Sequence, residues 1–320
     1  MNAGRPQSPA EKRTAPLPLT VLGGFLGAGK TTLVNHLLRQ AGGRRLAVLV
    51  NDFGDLPIDA DLIRTRTPDL ITVAGGCVCC SYGSDLVRGL NTLAAMRPAP
   101  DHVLLEASGV AIPGAIAATV GLLQAYRLDG IVVLADAETL PDLAQDRYMG
   151  DTVRRQLADA DLLLLNKVDL VDDDMRSARR RWLTQNYPDL RILDTARADL
   201  PPDVVLGTGP NPPSDRDTRQ PATGETAHLP IQVQVLDIAA AADAAALAQA
   251  LAEPALGLIR AKGFVKGADG TRQLVQVVGR RASCTATDAD GSDGIVCLGI
   301  AGRTDWAALQ RLADNLAGPG

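Results

Sequence analysis

"LTVLGGFLGAGKTTLVNHLLRQ" (residues 19–40) runs from an aliphatic segment through a glycine-rich turn into an amphipathic one. The first part, LTVLGG, is apolar on both faces, as a buried strand should be. KTTLVNHLLRQ then repeats its apolar residues at helical spacing. Between them, Gly24 to Thr31 (GFLGAGKT) fits G-x-x-x-x-G-K-[ST] at every fixed position. Strand, glycine turn and helix in that order form a phosphate-binding loop. Glycines let the backbone curl until its N–H groups face phosphate oxygens, and the helix N-terminus adds partial positive charge. Gly24, Gly27, Ala28, Gly29 and Thr32 are candidates for binding the nucleotide. Lys30 is the candidate for the β- and γ-phosphates, and the Thr31 hydroxyl for Mg²⁺. The stretch does not fit G-x-G-x-x-G, which disfavours a nicotinamide or flavin cofactor.

The same alternation continues outward. RLAVLVN (45–51), LITVAG (70–75), DHVLLEAS (101–108), DGIVVLAD (129–136) and ADLLLLN (160–166) read as further strands, with helical patterns between most of them. The expectation is an α/β fold: a doubly wound, mostly parallel sheet of the P-loop NTPase kind, over 18–206. GTGPNPPSDRDTRQPATGETAH breaks the pattern and reads as a linker over 207–228. The remainder, 229–320, reads strand-helix-strand-strand-strand-helix, a smaller α+β domain with a mostly antiparallel sheet. Residues 1–17 are polar and proline-rich. They carry no apolar core of a secretory signal and read as a disordered tail.

Asn166-Lys-Val-Asp169 directly follows the strand ADLLLLN. At the sheet rim, Asp169 can accept from N1–H and the 2-amino group of guanine. Adenine lacks that donor pair and would leave the carboxylate unsatisfied. Asn166 and Lys167 would brace the loop and cover the ring. The expected nucleotide is therefore GTP, with GDP as product. Glu106-Ala-Ser-Gly109 ends another strand; Glu106 can hold the magnesium water shell and the Gly109 amide can meet the γ-phosphate. Val110, rather than a glutamine, follows Gly109, so slow intrinsic hydrolysis is expected. NDFGDLPID (51–59) lies where a nucleotide-sensing switch would lie; an acidic surface loop is the alternative.

GGCVCC (75–80) holds three of the five cysteines. Cys77, Cys79 and Cys80 would offer three thiolates from one strand-to-helix loop, a partial tetrahedral site that suits Zn²⁺ first, with Cu(I) and Co²⁺ behind. Buried cysteines acting as small hydrophobes are one alternative, and a redox pair at the Cys77–Cys80 spacing is another, though no thioredoxin-like pattern surrounds it. Cys284 and Cys297 fit the hydrophobic role. His36, His102 and His228 read as structural or solvated.

Composition bounds the rest. Charged residues make up 22% of the 320, aromatics 3%, and the net charge is −5. A mildly acidic chain has no broad attraction for nucleic acid or anionic membrane. No apolar run reaches the ~20 residues that span a bilayer. With no secretory signal a cytoplasmic location is expected, where thiols stay reduced, and the odd cysteine count also argues against a disulfide framework.

Taken together, GFLGAGKTT, NDFGDLPID, GGCVCCSYGSDL, EASGVAIP, NKVDL and LIRAKGFV resemble the CobW-like family of P-loop GTPases, over roughly 18–302. The resemblance implies a GTP-dependent metallochaperone or metal-insertion factor. It would bind Zn²⁺, or Co²⁺, at Cys77, Cys79 and Cys80 and deliver it to a client metalloprotein. It makes Asp52 and Asp55 candidate additional ligands, although the family pattern has Glu where this chain has Asp52. Two departures stand out: the linker has one histidine instead of a histidine-rich stretch, and DTARADL lacks the family's Asn-Pro pair. A regulatory or assembly GTPase with structural cysteines is the alternative function. A homodimer is compatible with either. By position, Arg260–Phe264 is a candidate client-binding face.

Overall fold

The computed structural model describes residues 15–51, 71–75, 84–207, 230–238, 243–267, 269–288 and 292–316. Asp52, Asp55, Cys77, Cys79, Cys80 and His228 lie outside them, so the expectations for the switch and the cysteine loop concern residues the structure does not describe.

The first unit contains β1 (Leu17–Gly24), α1 (Lys30–Arg39), β2 (Leu46–Asn51), β3 (Ile71–Gly75), α2 (Ser84–Ala95), β4 (His102–Glu106) and α3 (Pro113–Gly121). It continues through β5 (Tyr126–Asp136), α4 (Leu140–Gln145), α5 (Gly150–Asp159), β6 (Leu162–Asn166), α6 (Asp173–Asn186), β7 (Arg191–Asp194) and α7 (Pro202–Leu206). The strands form one sheet in the order β3-β2-β4-β1-β5-β6-β7. Every pairing in it is parallel. The order reverses beside β1, which places the switch point at the phosphate loop.

Aliphatic runs make this sheet possible because both faces are covered. Leu19, Val21, Leu105, Val133 and Leu163 pack against α2 through α5 on one face. Leu22, Val48, Leu104, Val132 and Leu164 meet α1 and α7 on the other, where Ile259 and Ile300 of the second unit join the same cluster. The second unit thus completes a core that two helices leave partly covered. Burying each such side chain stabilises by roughly 1.5–3 kcal/mol.

That unit contains β8 (Ile231–Leu236), α8 (Ala244–Ala252), β9 (Arg260–Lys266), β10 (Arg272–Val278), β11 (Arg281–Ala286), β12 (Gly294–Ile300) and α9 (Trp306–Leu316). Its sheet, β11-β10-β9-β12-β8, is antiparallel throughout. It has five strands, one more than the sequence pattern separates. Arg281–Ala286 follows β10 across a two-residue turn, and its half-buried, polar residues mask the alternation. Asp243 caps α8 by accepting from the Ala246 amide at 2.8 Å.

The units are joined by polar contacts, of which those of Arg260 are buried. Arg260 donates to Asp129, Val204 O and Val205 O. Arg191 donates to Leu258 O and Glu253 O at 3.0 and 2.8 Å. Arg281 meets Asp161 at 2.6 Å. These contacts correct the expectation for Arg260–Phe264: Arg260 is 5% exposed and Ala261 1%. Arg260 faces the first unit and Ala261 enters its own unit's core, so the start of that segment offers no client surface. Among the described residues, no helix is long and apolar enough to cross a membrane.

Candidate functional site

The glycine turn lies between β1 and α1, at the C-terminal edge of the parallel sheet. Gly29 has φ 105, a left-handed conformation that disfavours a side chain, and a Cβ there would overlap the Asn166 amide. Lys30 begins α1, is 7% exposed, and donates from Nζ to Gly24 O at 2.9 Å and Phe25 O at 3.3 Å. Its ammonium therefore sits over the loop that the amides form. The Thr31 hydroxyl donates to Glu106 Oε1 at 2.8 Å. Glu106 is 1% exposed. Its carboxylate is therefore withdrawn from bulk solvent at the end of β4. Two hard oxygen groups converge beside the phosphate loop, the donor set that suits Mg²⁺.

Asn166, at the end of β6, ties three loops together. Its Nδ2 donates to Ala28 O at 2.9 Å and its Oδ1 accepts from the Ala198 amide at 2.9 Å. Lys167 adopts φ 62 and pairs with Asp136 at 2.6 Å, so β5 supplies the brace for β6. Asp169 lies in a short 3₁₀ turn, with Arg197 Nε 3.9 Å from its carboxylate. Arg197 and Ala198 both have positive φ, at 53° and 55°. Such backbone strain, of order 1–3 kcal/mol per residue, persists where the surroundings impose it, and it concentrates at binding loops. DTARADL therefore reaches the rim without an Asn-Pro pair, through the Asn166–Ala198 bond.

Gly109 approaches the phosphate loop closely: a Cβ there would stand 2.8 Å from the Leu26 amide nitrogen. From the other side Gln156 of α5, 2% exposed, donates to Gly109 O at 3.0 Å and Ala111 O at 2.9 Å. Sequence reasoning missed both Gln156 and Asp136. Gln156 sits in a helix among Arg and Asp with no motif around it, and only the packing of α5 against β4's loop gives it a role. Asp136, at a strand end one position before a buried alanine, carried a weak signal as a rim carboxylate.

β3 ends with Gly75 at this same edge. In the register, Val50 faces Glu106 and Asn51 faces Gly75. Gly75, the residue before the loop, is thus two strands from β4, roughly 10 Å at the usual strand spacing. The remaining thiols are different in kind. Cys297 is buried, and burial pushes its pKa up to about 12; Cys284 is half-buried and also raised by burial. Both behave as small hydrophobes. His36 and His102 are likewise structural. The His36 ring bonds Leu200 O at 2.9 Å, and His102 Nε2 bonds the Thr20 hydroxyl at 2.8 Å. No cluster of three or more metal-ligating side chains occurs among the described residues.

Comparison with known proteins agrees with this geometry. A family model described as the CobW/HypB/UreG nucleotide-binding domain matches residues 18–193. The zinc chaperone CobW of Sinorhizobium sp is 29% identical over 307 residues, covering 83% of this chain and 86% of its own. The zinc chaperone YjiA of Escherichia coli is 36% identical over 168 residues, covering 49% of this chain and 51% of its own. Among solved structures, a Zn(II)-bound triple mutant of the YjiA GTPase aligns over 94% of this chain and 99% of its own. It does so at 22% identity and a TM-score of 0.44.

Proposed function

The chain is a GTPase of the CobW/HypB/UreG family, and from that premise we propose that it is a zinc metallochaperone. It carries Zn²⁺ on Cys77, Cys79 and Cys80 and transfers it to a client metalloprotein in the cytoplasm under control of the GTP cycle. Residues 18–206 act as the GTPase module and 229–320 as its partner domain, with 207–228 as the linker. Asp52 or Asp55 completes the thiolate set, and Co²⁺ is the metal the same donors would accept next.

In this reading the Gly24–Gly29 amides cradle the phosphates and Lys30 neutralises the β- and γ-oxygens. Thr31 and Glu106 hold Mg²⁺, which would supply charge neutralisation at the transferring phosphoryl group. Asp169 reads guanine; Asn166 and Lys167 hold the base loop in place. The Gly109 amide senses the γ-phosphate. With no glutamine after Gly109, hydrolysis is slow without a partner.

The observation that carries the coupling is the register of the sheet. Gly75 and Glu106 end strands at one edge, two strands apart. A γ-phosphate that orders the Glu106–Gly109 loop also acts beside the root of the cysteine loop, an order-disorder linkage of nucleotide and metal. Zn²⁺ affinity measured with no nucleotide, with GDP and with a non-hydrolysable GTP analogue tests it. Unequal affinities are expected, and identical affinities in all three states would overturn the coupling. Replacing the three cysteines with serine should leave a folded GTPase without zinc; unfolding would favour structural cysteines instead.

A further inference from the structure

β5 and β6 end side by side at the edge that carries the phosphate loop. Gly24 pairs with Leu134 in the register, and Asp136, two residues on, pairs with Asn166. The Ala137 amide then donates to Asn166 O at 2.9 Å, which locks the two strand ends together. Lys167 follows Asn166. Its backbone is left-handed, at φ 62 and ψ 31, a conformation that a residue with a Cβ rarely adopts. Its Nζ donates to Asp136 Oδ2 at 2.6 Å.

The other oxygen of Asp136 is engaged as well. Oδ1 accepts from the Glu138 amide at 2.9 Å, so the carboxylate is oriented by its own backbone. Asp136 is thus the fixed partner and Lys167 the mobile one, since a lysine stem has much rotational freedom to lose. The Lys167 side chain remains 30% exposed. Solvent at that rim screens the pair, so its contribution to folding is modest. What the pair does determine is the path of the Lys167 stem. With its ammonium held by Asp136, the lysine meets a base through its methylenes rather than its charge.

We propose that Asp136 is a positioning residue for the nucleotide base. It pins the Lys167 ammonium, so that the methylene stem is laid as an apolar cover for the guanine ring before the nucleotide arrives. The inference rests on the proposed assignment of Asn166 to Asp169 as the base loop. Asp136 itself touches no nucleotide atom. Preorganisation spares binding the cost of ordering one long side chain, about five- to tenfold in affinity. A cover on the ring face does not read the base edge, whereas Asp169 does. Loss of Asp136 should therefore weaken GDP and IDP by the same factor and leave the preference between them intact.

Titration calorimetry of the full chain with GDP and IDP tests this in wild type, Asp136→Asn, Lys167→Met and the double variant. Asp136→Asn keeps an acceptor for the Glu138 amide and sets an amide donor against the ammonium. It should weaken both nucleotides by about five- to tenfold. Lys167→Met keeps most of the stem and removes its anchor. It should cost as much, and the double variant no more than either single change. A merely structural Asp136 would lower Tm and leave both affinities as they were, which would overturn the inference. So would a loss confined to GDP, because the carboxylate would then act through Asp169, and so would additive losses in the double variant. If Asp136→Asn fails to fold, Lys167→Met breaks the same pair from the other side, and unchanged affinities in it overturn the cover. The premise has its own readout: an Asp169→Asn variant that keeps the wild-type preference for GDP over IDP removes the base-loop assignment, whatever Asp136 does.

Discussion

Gln156 and Gly109 are joined by a hydrogen bond of 3.0 Å from the Gln156 amide to the Gly109 carbonyl, and a second bond to Ala111 O doubles the hold. A helix that carries no nucleotide-binding motif thereby fixes the loop proposed to meet the γ-phosphate, while Leu26 packs against Gly109 from the phosphate loop. Gln156 is a positioning residue. Gln156→Met keeps its volume and removes both donors. Net loss of about 1–3 kcal/mol of loop order should lower kcat about tenfold and narrow the ratio of GTP-analogue to GDP affinity. GDP affinity itself should stay unchanged. A merely structural glutamine would lower Tm without moving that ratio.

Asp169 should decide the base. In the proposed reading its carboxylate accepts from two guanine donors, and an amide, half of it a donor, cannot match both. Asp169→Asn should raise KM for GTP by two to three orders of magnitude, within the range for a lost buried hydrogen-bond pair. It should improve use of XTP, whose C2 carbonyl accepts from the new amide. Steady-state hydrolysis with both nucleotides measures this, and unchanged GTP use would remove Asp169 from the base site.

The alternation of aliphatic runs made the parallel sheet legible, because parallel strands are buried on both faces and must be apolar throughout. The phosphate loop was legible for a related reason: its glycines, lysine and threonine are contiguous, so their spacing is visible without tertiary contacts. Gln156 and Asp129 were invisible because each acquires its role from a partner more than forty residues away, for Asp129 in the other unit. Arg260 even misled. A charged residue in a predicted strand reads as surface, yet here a carboxylate across the interface makes its burial tolerable.

The Arg260–Asp129 pair predicts strong non-additivity. Both side chains are nearly fully buried, 6% and 5% exposed. Burial alone would raise the Asp129 pKa, but Arg260 and Arg127 hold it well below the usual carboxylate range. Removing one partner leaves a buried charge poorly compensated. Arg260→Met should therefore destabilise by about 3 kcal/mol, and Asp129→Asn by a similar amount. The double variant should lose clearly less than the sum. Denaturant unfolding of the four proteins reports this directly; additive losses would mean that the two groups do not act as a pair.

His102 predicts how the molecule responds to acid. It is 4% exposed, and burial lowers its pKa from 6.5 to about 3, with the Asp129 charge opposing and the nearby arginines reinforcing the shift. Between those values the unfolded chain binds a proton that the folded chain refuses. Stability therefore rises with pH across this window and is lost as pH falls below about 6.5, by at most about 1.4 kcal/mol per pH unit. The neighbours titrate elsewhere: Asp129 only at more acidic pH, Lys262 only near 8 and above. From pH 7 to pH 5 the histidine should thus withdraw about 2 kcal/mol. His102→Gln retains a polar partner for the Thr20 hydroxyl and cannot titrate. Its unfolding free energy should fall less over that interval than that of wild type. Parallel pH profiles for the two proteins would show instead that His102 is protonated in the folded state.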